Sequence, residues 1–262
     1  MTSPRDEALR TVAEELFAVY DTKEPVTPPR TSIPGLSLES AYRIQQFQED
    51  MFLARGDRIA GRKIGLTSRA MQEQLGVDSP DFGFFTDQMC LQGQDTISAD
   101  RFLAPKVEPE LAFHLGTSLN PGANLEEISA AISGCYLAVE IIDSRVKDWD
   151  IQLVDTVADN ASCGAVVLSD QPVDIALEDL SSVSLTMYRN SVAVGSGTGT
   201  AVMGNPIKPL EWLNNTLSSL GTPLQAGDII LTGSFCAAAP LAAGDLIEVD
   251  YGPYGTLRLH CV

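Results

Sequence analysis

Histidine is scarce in this 262-residue chain, with only His114 and His260. Two histidines cannot furnish a multi-histidine zinc site, and no G-x-S-x-G elbow is present to support a Ser-His-Asp triad. Positive charge is scarce as well: 17 Lys and Arg stand against 35 Asp and Glu, for a formal net charge of −18. That balance excludes the clustered basic surface that nucleic acid or an anionic membrane requires. It leaves room for an anionic small substrate, because one lysine or a metal ion in a cleft overrides the global field locally. No apolar run approaches the length of a membrane span, and residues 1–7 lead into an amphipathic helix without the features of a signal or transit peptide. The cysteines, Cys90, Cys135, Cys163, Cys236 and Cys261, are odd in number and lack C-x-x-C spacing, as expected of reduced thiols in a cytoplasm.

What the chain does have is carboxylate in costly places. In Lys106-Val107-Glu108-Pro109-Glu110-Leu111-Ala112-Phe113-His114-Leu115 a period of two puts Glu108 and Glu110 on one face of a strand and Val107, Leu111 and Phe113 on the other. Some thirty residues on, Tyr136-Leu137-Ala138-Val139-Glu140-Ile141-Ile142 reads as a buried strand holding a third glutamate. Burying an ionised carboxylate costs several kcal/mol unless something positive compensates it. A hard divalent cation, Mg²⁺ or Mn²⁺, would compensate all three, leaving other octahedral positions to water or substrate. The alternative is that Glu108 and Glu110 line the solvent face of an edge strand, where Pro109 is tolerated, and that Glu140 pairs with Arg145 or Lys106.

Taken in order, the chain predicts a helix over residues 4–20, a Pro- and Thr-rich connector over 22–35, and a second helix from an N-cap at Ser37 to a C′ glycine at Gly56. These helices form an expected N-terminal lobe, residues 1–60, followed by a catalytic region, 61–262. Gly61-Arg62-Lys63-Ile64-Gly65-Leu66-Thr67-Ser68 reads as a short strand entering a tight turn, with a helix over 69–75 and then a loop over 76–83 that carries Asp78 and Asp81. Lys63 is either a partly buried cation or a solvated edge lysine. Ser162, in the polar cluster at 155–164, points into a pocket or caps backbone. The last third is β-rich: a hairpin about Asn190-Ser191, a glycine run at 195–200 expected to be a flexible turn, a helix over 209–220, and strands at 229–232, 246–251 and 256–262.

Five segments in register, namely 61–68, 74–83, the Glu-Pro-Glu at 108–110, 140–145 and 155–164, resemble the 2-keto-4-pentenoate hydratase family of the fumarylacetoacetate hydrolase superfamily. The likeness covers nearly the whole chain. It implies an α+β subunit built on a mixed β-roll, assembled as a homo-oligomer, with Mg²⁺ or Mn²⁺ held by Glu108, Glu110 and Glu140. It further implies Lys63 and Asp81 as catalytic groups, Leu66 and Ser162 as substrate-binding ones, and a 2-hydroxy-dienoate or 2-oxo acid as the substrate. The implied reaction adds water to 2-hydroxypenta-2,4-dienoate in meta-cleavage catabolism of aromatic compounds, with a pathway enzyme as a conceivable partner. Three other readings compete: 4-oxalocrotonate decarboxylase, 2-oxohept-4-ene-1,7-dioate hydratase (which Gly233-Ser234-Phe235 resembles), and a non-catalytic oligomeric subunit.

Overall fold

The computed structural model describes residues 4–68, 72 and 79–262; apart from residue 72, the helix expected over 69–75 lies outside the described residues, as does Asp78 of the expected loop. Three helices open the chain: α1 (Pro4–Thr22), the single turn α2 (Pro29–Ser32) and α3 (Leu38–Arg55). Ser37 caps α3 as expected, its hydroxyl accepting the Ser40 N–H at 3.2 Å, and Gly56 ends it at φ 103°, where a side chain would be strained. Strands β1 (Ile59–Gly65), β2 (Asp81–Thr86), β3 (Cys90–Gln92), β4 (Thr96–Ile97) and β5 (Lys106–Leu115) follow. Next come α4 (Leu125–Ala131), β6 (Ile132–Ile142), α5 (Leu153–Ala158) and β7 (Cys163–Leu168). The chain finishes with β8 (Ser184–Arg189), β9 (Val192–Thr198), α6 (Lys208–Ser219), β10 (Ile229–Leu231), β11 (Ala239–Pro240), β12 (Leu246–Asp250) and β13 (Thr256–Cys261).

The strands form two mixed sheets. One has the order β2-β1-β10-β5-β6-β7-β3 with β11 added to β5; the other runs β4-β13-β12-β8-β9. Apolar residues of the second sheet, among them Ile247, Val249 and Met187, pack with Val107, Leu111, Phe113, Val139 and Ile141 of the first. Because side chains alternate along a strand, the opposite face of β5 and β6 carries Glu108, Glu110 and Glu140. That face turns toward the helical lobe: Ala112, Ala138, Leu231 and Phe84 cluster there with Phe52 of α3, and Phe17 and Tyr20 of α1 lie against them. The expected α+β architecture, a mixed curled sheet with an N-terminal helical lobe, is what the chain adopts.

Three expectations change. β5 is central, flanked by β6 on one side and by β10 and β11 on the other, so the edge-strand alternative fails. Proline is accommodated because β10 pairs only with residues 112–114 and β11 only with Lys106 and Val107, leaving a gap. The Pro109 carbonyl faces that gap and accepts the Phe235 N–H at 3.1 Å, so the missing N–H of Pro109 faces it too. Asp81 opens a fully buried strand and is not on a loop. Finally, the glycine run lies in β9 and the turn after it. A methyl on Gly197 would sit 1.9 Å from the Phe235 carbonyl oxygen, and one on Gly199 would sit 2.0 Å from that of Leu180, so close approach, and not flexibility, demands glycine here. The hairpin at Asn190 (φ 52°) and Ser191 (φ 66°) is as expected, with both residues left-handed.

Candidate metal centre and active site

Strand register alone brings the acidic groups together. Glu108 stands directly opposite Glu140, and Glu110 opposite Ala138. Like charges placed opposite each other destabilise a sheet, so the pair marks a site and not a scaffold. One carboxylate oxygen from each of Glu108, Glu110 and Glu140 lies within 4.8 Å of the others. Glu110 and Glu140 are fully buried, whereas Glu108 is partly exposed. Glu110 Oε1 and both carboxylate oxygens of Glu140 are buried without a hydrogen-bond partner. Orphaned oxygens of this kind, converging from three carboxylates, are a donor set that fits a hard divalent cation.

Lys63 joins the group by the same register. It pairs with Leu231, which pairs with Ala112, so its side chain shares the glutamate face. Its Nζ lies 3.4 Å from Glu140 Oε1, with both side chains almost wholly buried. Lysine is thus the cation beside Glu140; the other two candidates are engaged elsewhere, Arg145 with Asp159 and Lys106 over the Trp149 ring at 4.0 Å. Asp81, paired in register with Gly65, enters from the far side of β1. A methyl on Gly65 would lie 2.2 Å from Asp81 Oδ1 and 3.2 Å from Lys63 Nζ, so both groups crowd one glycine that must stay bare. Asp81 Oδ1 is itself buried without a partner.

Four carboxylates around one ammonium leave an excess of buried negative charge, and every group responds. Burial works against the charge on Lys63, but Glu140, then Asp81 and Glu108, outweigh it and hold its pKa above the usual lysine value. Burial raises Glu140 to about 7 despite Lys63, with Glu108 adding to the rise. Glu110 is driven well above the carboxylate range by burial and then by Glu140 and Glu108, against the Gly233 N–H that donates to its Oε2 at 2.7 Å. Burial likewise lifts Asp81, which Lys63 and the Gly65 N–H partly offset. The Tyr251 hydroxyl braces the backbone beneath, donating at 2.8 Å to the carbonyls of both Glu110 and Ala138.

Ser162 is buried in a turn whose backbone is unusual. Asn160, Ala161 and Ser162 have φ of 51°, 48° and 56°, three consecutive non-glycine residues in the left-handed region. Its Oγ lies 3.1 Å from Thr156 Oγ1. The turn is held by Arg145, which donates to Asp159 Oδ1 (2.5 Å), to the Asp159 carbonyl (2.5 Å) and to the Cys163 carbonyl (2.8 Å), with all partners buried. Asn160 donates to the Phe84 carbonyl and accepts the Phe84 N–H, each at 2.8 Å. Leu66, also left-handed at φ 56°, follows β1 directly, and its carbonyl accepts from Gln72 at 2.7 Å. Left-handed backbone therefore gathers just after the strand that carries Lys63, at Leu66, and in the turn that holds Ser162. The roles of Asn160, Tyr251, Gly65 and Gly233 were not legible beforehand, since Asn160 and Tyr251 bond backbone groups of strands distant in sequence, Gly233 acts through its backbone N–H and Gly65 through an absent side chain. A separate cavity of about 680 Å³ lies between α1, α3 and α6, floored by Tyr42 and Phe82, and it includes none of the triad.

A buried three-carboxylate centre on a curled mixed sheet, with a lysine against it, defines a metal-dependent enzyme of the fumarylacetoacetate hydrolase kind. The family model described as "Fumarylacetoacetate (FAA) hydrolase C-terminal" matches residues 54–262. The chain is 38% identical over 247 residues to 2-keto-4-pentenoate hydratase of Paraburkholderia xenovorans, covering 94% of this chain and 92% of that one. It is 38% identical over 254 residues to 2-hydroxyhexa-2,4-dienoate hydratase of Comamonas testosteroni, covering 96% of each. Among solved structures, 4-oxalocrotonate decarboxylase from Pseudomonas putida G7, complexed with magnesium and adipate, superposes with a TM-score of 0.92 at 31% identity, covering 100% of this chain and 99% of that one. The chain belongs to the fumarylacetoacetate hydrolase superfamily and stands close to its 2-keto-4-pentenoate hydratase family. No helix among the described residues is long and apolar enough to cross a membrane.

Proposed function

We propose that this protein is a magnesium- or manganese-dependent hydratase that adds water to 2-hydroxypenta-2,4-dienoate or a close relative, giving a 4-hydroxy-2-oxo acid. The observation that carries the reading is Asp81: a buried carboxylate with a free oxygen, beside Lys63 and outside the triad, is what water addition needs and decarboxylation does not. Glu108, Glu110 and Glu140 would hold the cation, which when bound supplies Lewis acidity to the substrate's carboxylate and 2-oxygen.

Lys63 places a permanent positive donor where negative charge grows on the 2-oxygen as the dienol gives up its hydroxyl proton, before C5 takes one and the ketone forms. The resulting 2-oxo-3-enoate accepts water at C4. Asp81 orients that water and removes its proton, while C3 gains one, so the sum is one added water. Burial raises the Asp81 pKa above that of an ordinary aspartate, which makes its carboxylate a stronger base. Ser162 and Leu66 would line the pocket for the substrate chain.

A second reading, decarboxylation of a 4-oxalocrotonate-type acid, draws on the close superposition with the decarboxylase over both whole chains. That relative is complexed with adipate, a six-carbon dicarboxylate, and the Gly233-Ser234-Phe235 segment beside Glu110 keeps a longer dicarboxylate in view for the hydratase reading too. One assay separates them. Ultraviolet loss of freshly generated 2-hydroxypenta-2,4-dienoate, dependent on Mg²⁺ or Mn²⁺ and giving a product heavier by one water, supports the hydratase. Loss only of a 4-oxalocrotonate-type acid, with release of carbon dioxide, overturns it in favour of the decarboxylase.

A further inference from the structure

We infer that Asn160 is a positioning residue for the water-adding step, locking Ser162 to the strand that carries Asp81; this rests on the hydratase reading of Asp81. The side-chain amide of Asn160 bonds both polar groups of the Phe84 backbone, N–H and carbonyl, at 2.8 Å each, as a neighbouring strand would. Phe84 lies on β2 three residues from Asp81. From the other side, Gly83 is packed so tightly that a methyl there would lie 2.5 Å from the Asn160 carbonyl oxygen and 2.9 Å from its Oδ1. Ser162 follows two residues later in the left-handed turn. A turn with Ala and Ser held at positive φ needs external restraint. Asn160 supplies it on the strand side, as Arg145 and Asp159 do on the other. Asparagine is suited twice over: it tolerates the left-handed region better than most residues, and its amide both donates and accepts.

The helical lobe reinforces this arrangement. Gln45 of α3 donates to the carbonyls of Phe82 and Val157, at 2.9 and 3.0 Å, and Gln48 to that of Ala158 at 2.6 Å. Buried carboxamides thus stitch α3, β2, α5 and the turn that follows it together, with Asn160 the one that lies in the turn itself.

The test separates clamping from backbone tolerance. Asn160→Gly keeps easy access to positive φ but deletes both bonds to Phe84; Gly83→Ala leaves Asn160 in place and pushes its backbone away. In both variants we expect Mg²⁺ affinity within about twofold of wild type, kcat for hydration lowered by roughly tenfold or more with KM changed much less, and release of unhydrated 2-oxo-3-enoate, an isomer of the substrate, detected by proton NMR above the level of an enzyme-free control. The released enoate is the signature of a misplaced water base, which a general loss of stability would not produce. Asn160→Gly that hydrates as fast as a hydrating wild type, or that loses activity only in proportion to metal affinity, overturns the inference alone. A metal-loaded wild type that hydrates no dienoate overturns the reading beneath it, and the inference with it.

Discussion

Removing the divalent cation should make the protein less stable as the pH rises, contrary to ordinary acid denaturation. Glu140 is raised from 4.5 to about 7 by burial, against Lys63 and with Glu108. A carboxyl whose folded-state pKa lies above its unfolded value binds more protons folded than unfolded, so stability present below pH 4.5 is lost as the pH climbs through about 7. The difference of about 2.5 corresponds to on the order of 3 kcal/mol from this group alone. Glu108, Glu110 and Asp81 are raised as well and act with the same sign. Lys63 stays charged in both states throughout that window and contributes no slope. For a chain of this size the effect is a fall of roughly 6–12 °C in Tm between pH 5 and 7.5. Calorimetry on EDTA-treated protein across that range, repeated with saturating Mg²⁺, measures it. Mg²⁺ should raise Tm more at pH 7.5 than at pH 5, because binding requires the carboxylates to ionise. Glu140→Gln should be more stable than wild type without metal at pH 7.5 and should lose most of the Mg²⁺ response. A metal-free wild type whose Tm is flat or rises over this window would refute the reasoning, as would a Glu140→Gln protein with an undiminished response.

Further outcomes follow from single contacts. Gly65→Ala places a methyl 2.2 Å from Asp81 Oδ1, so hydration should drop by about 100-fold or more while Mg²⁺ titration by calorimetry still shows binding; near-normal turnover would remove Asp81 from the mechanism. Arg145→Ala strands the buried Asp159 carboxylate, whose pKa burial already lifts to about 6, and should cost about 3–5 kcal/mol in urea unfolding at pH 8. The loss should shrink at pH 5, where the stranded acid takes up a proton. Tyr251→Phe removes the donor to the Glu110 and Ala138 carbonyls and should destabilise by about 1–3 kcal/mol, read by chemical denaturation. Gly197→Ala should weaken Mg²⁺ binding measurably, because displacing Phe235 disturbs the segment whose Gly233 N–H holds Glu110.

Much of the molecule follows from local pattern. Alternation in 106–115 and 136–142 placed three glutamates on buried strand faces, because a period of two needs no knowledge of neighbours. Ser37 and Gly56 bounded α3 through capping chemistry that acts within a single turn. Asn190-Ser191 marked its hairpin for the same reason. Three things belonged to the tertiary structure. That Glu108 stands opposite Glu140, and that Lys63 and not Arg145 neutralises it, depends on strand order and register, which no local pattern encodes. That Asp81 opens a buried strand depends on β1 pairing with it across a stretch of fifteen intervening residues. And the glycines at 197 and 199 looked like a flexible turn, while those at 65 and 233 had no reading of their own, whereas the meaning of all four lies in what packs against them: the carboxylate of Asp81, the carbonyls of Phe235 and Leu180, and the hydroxyl of Thr67. Sequence determines which faces are apolar and which residues are expensive to bury; only the closing of the sheet decides which of those expensive groups meet.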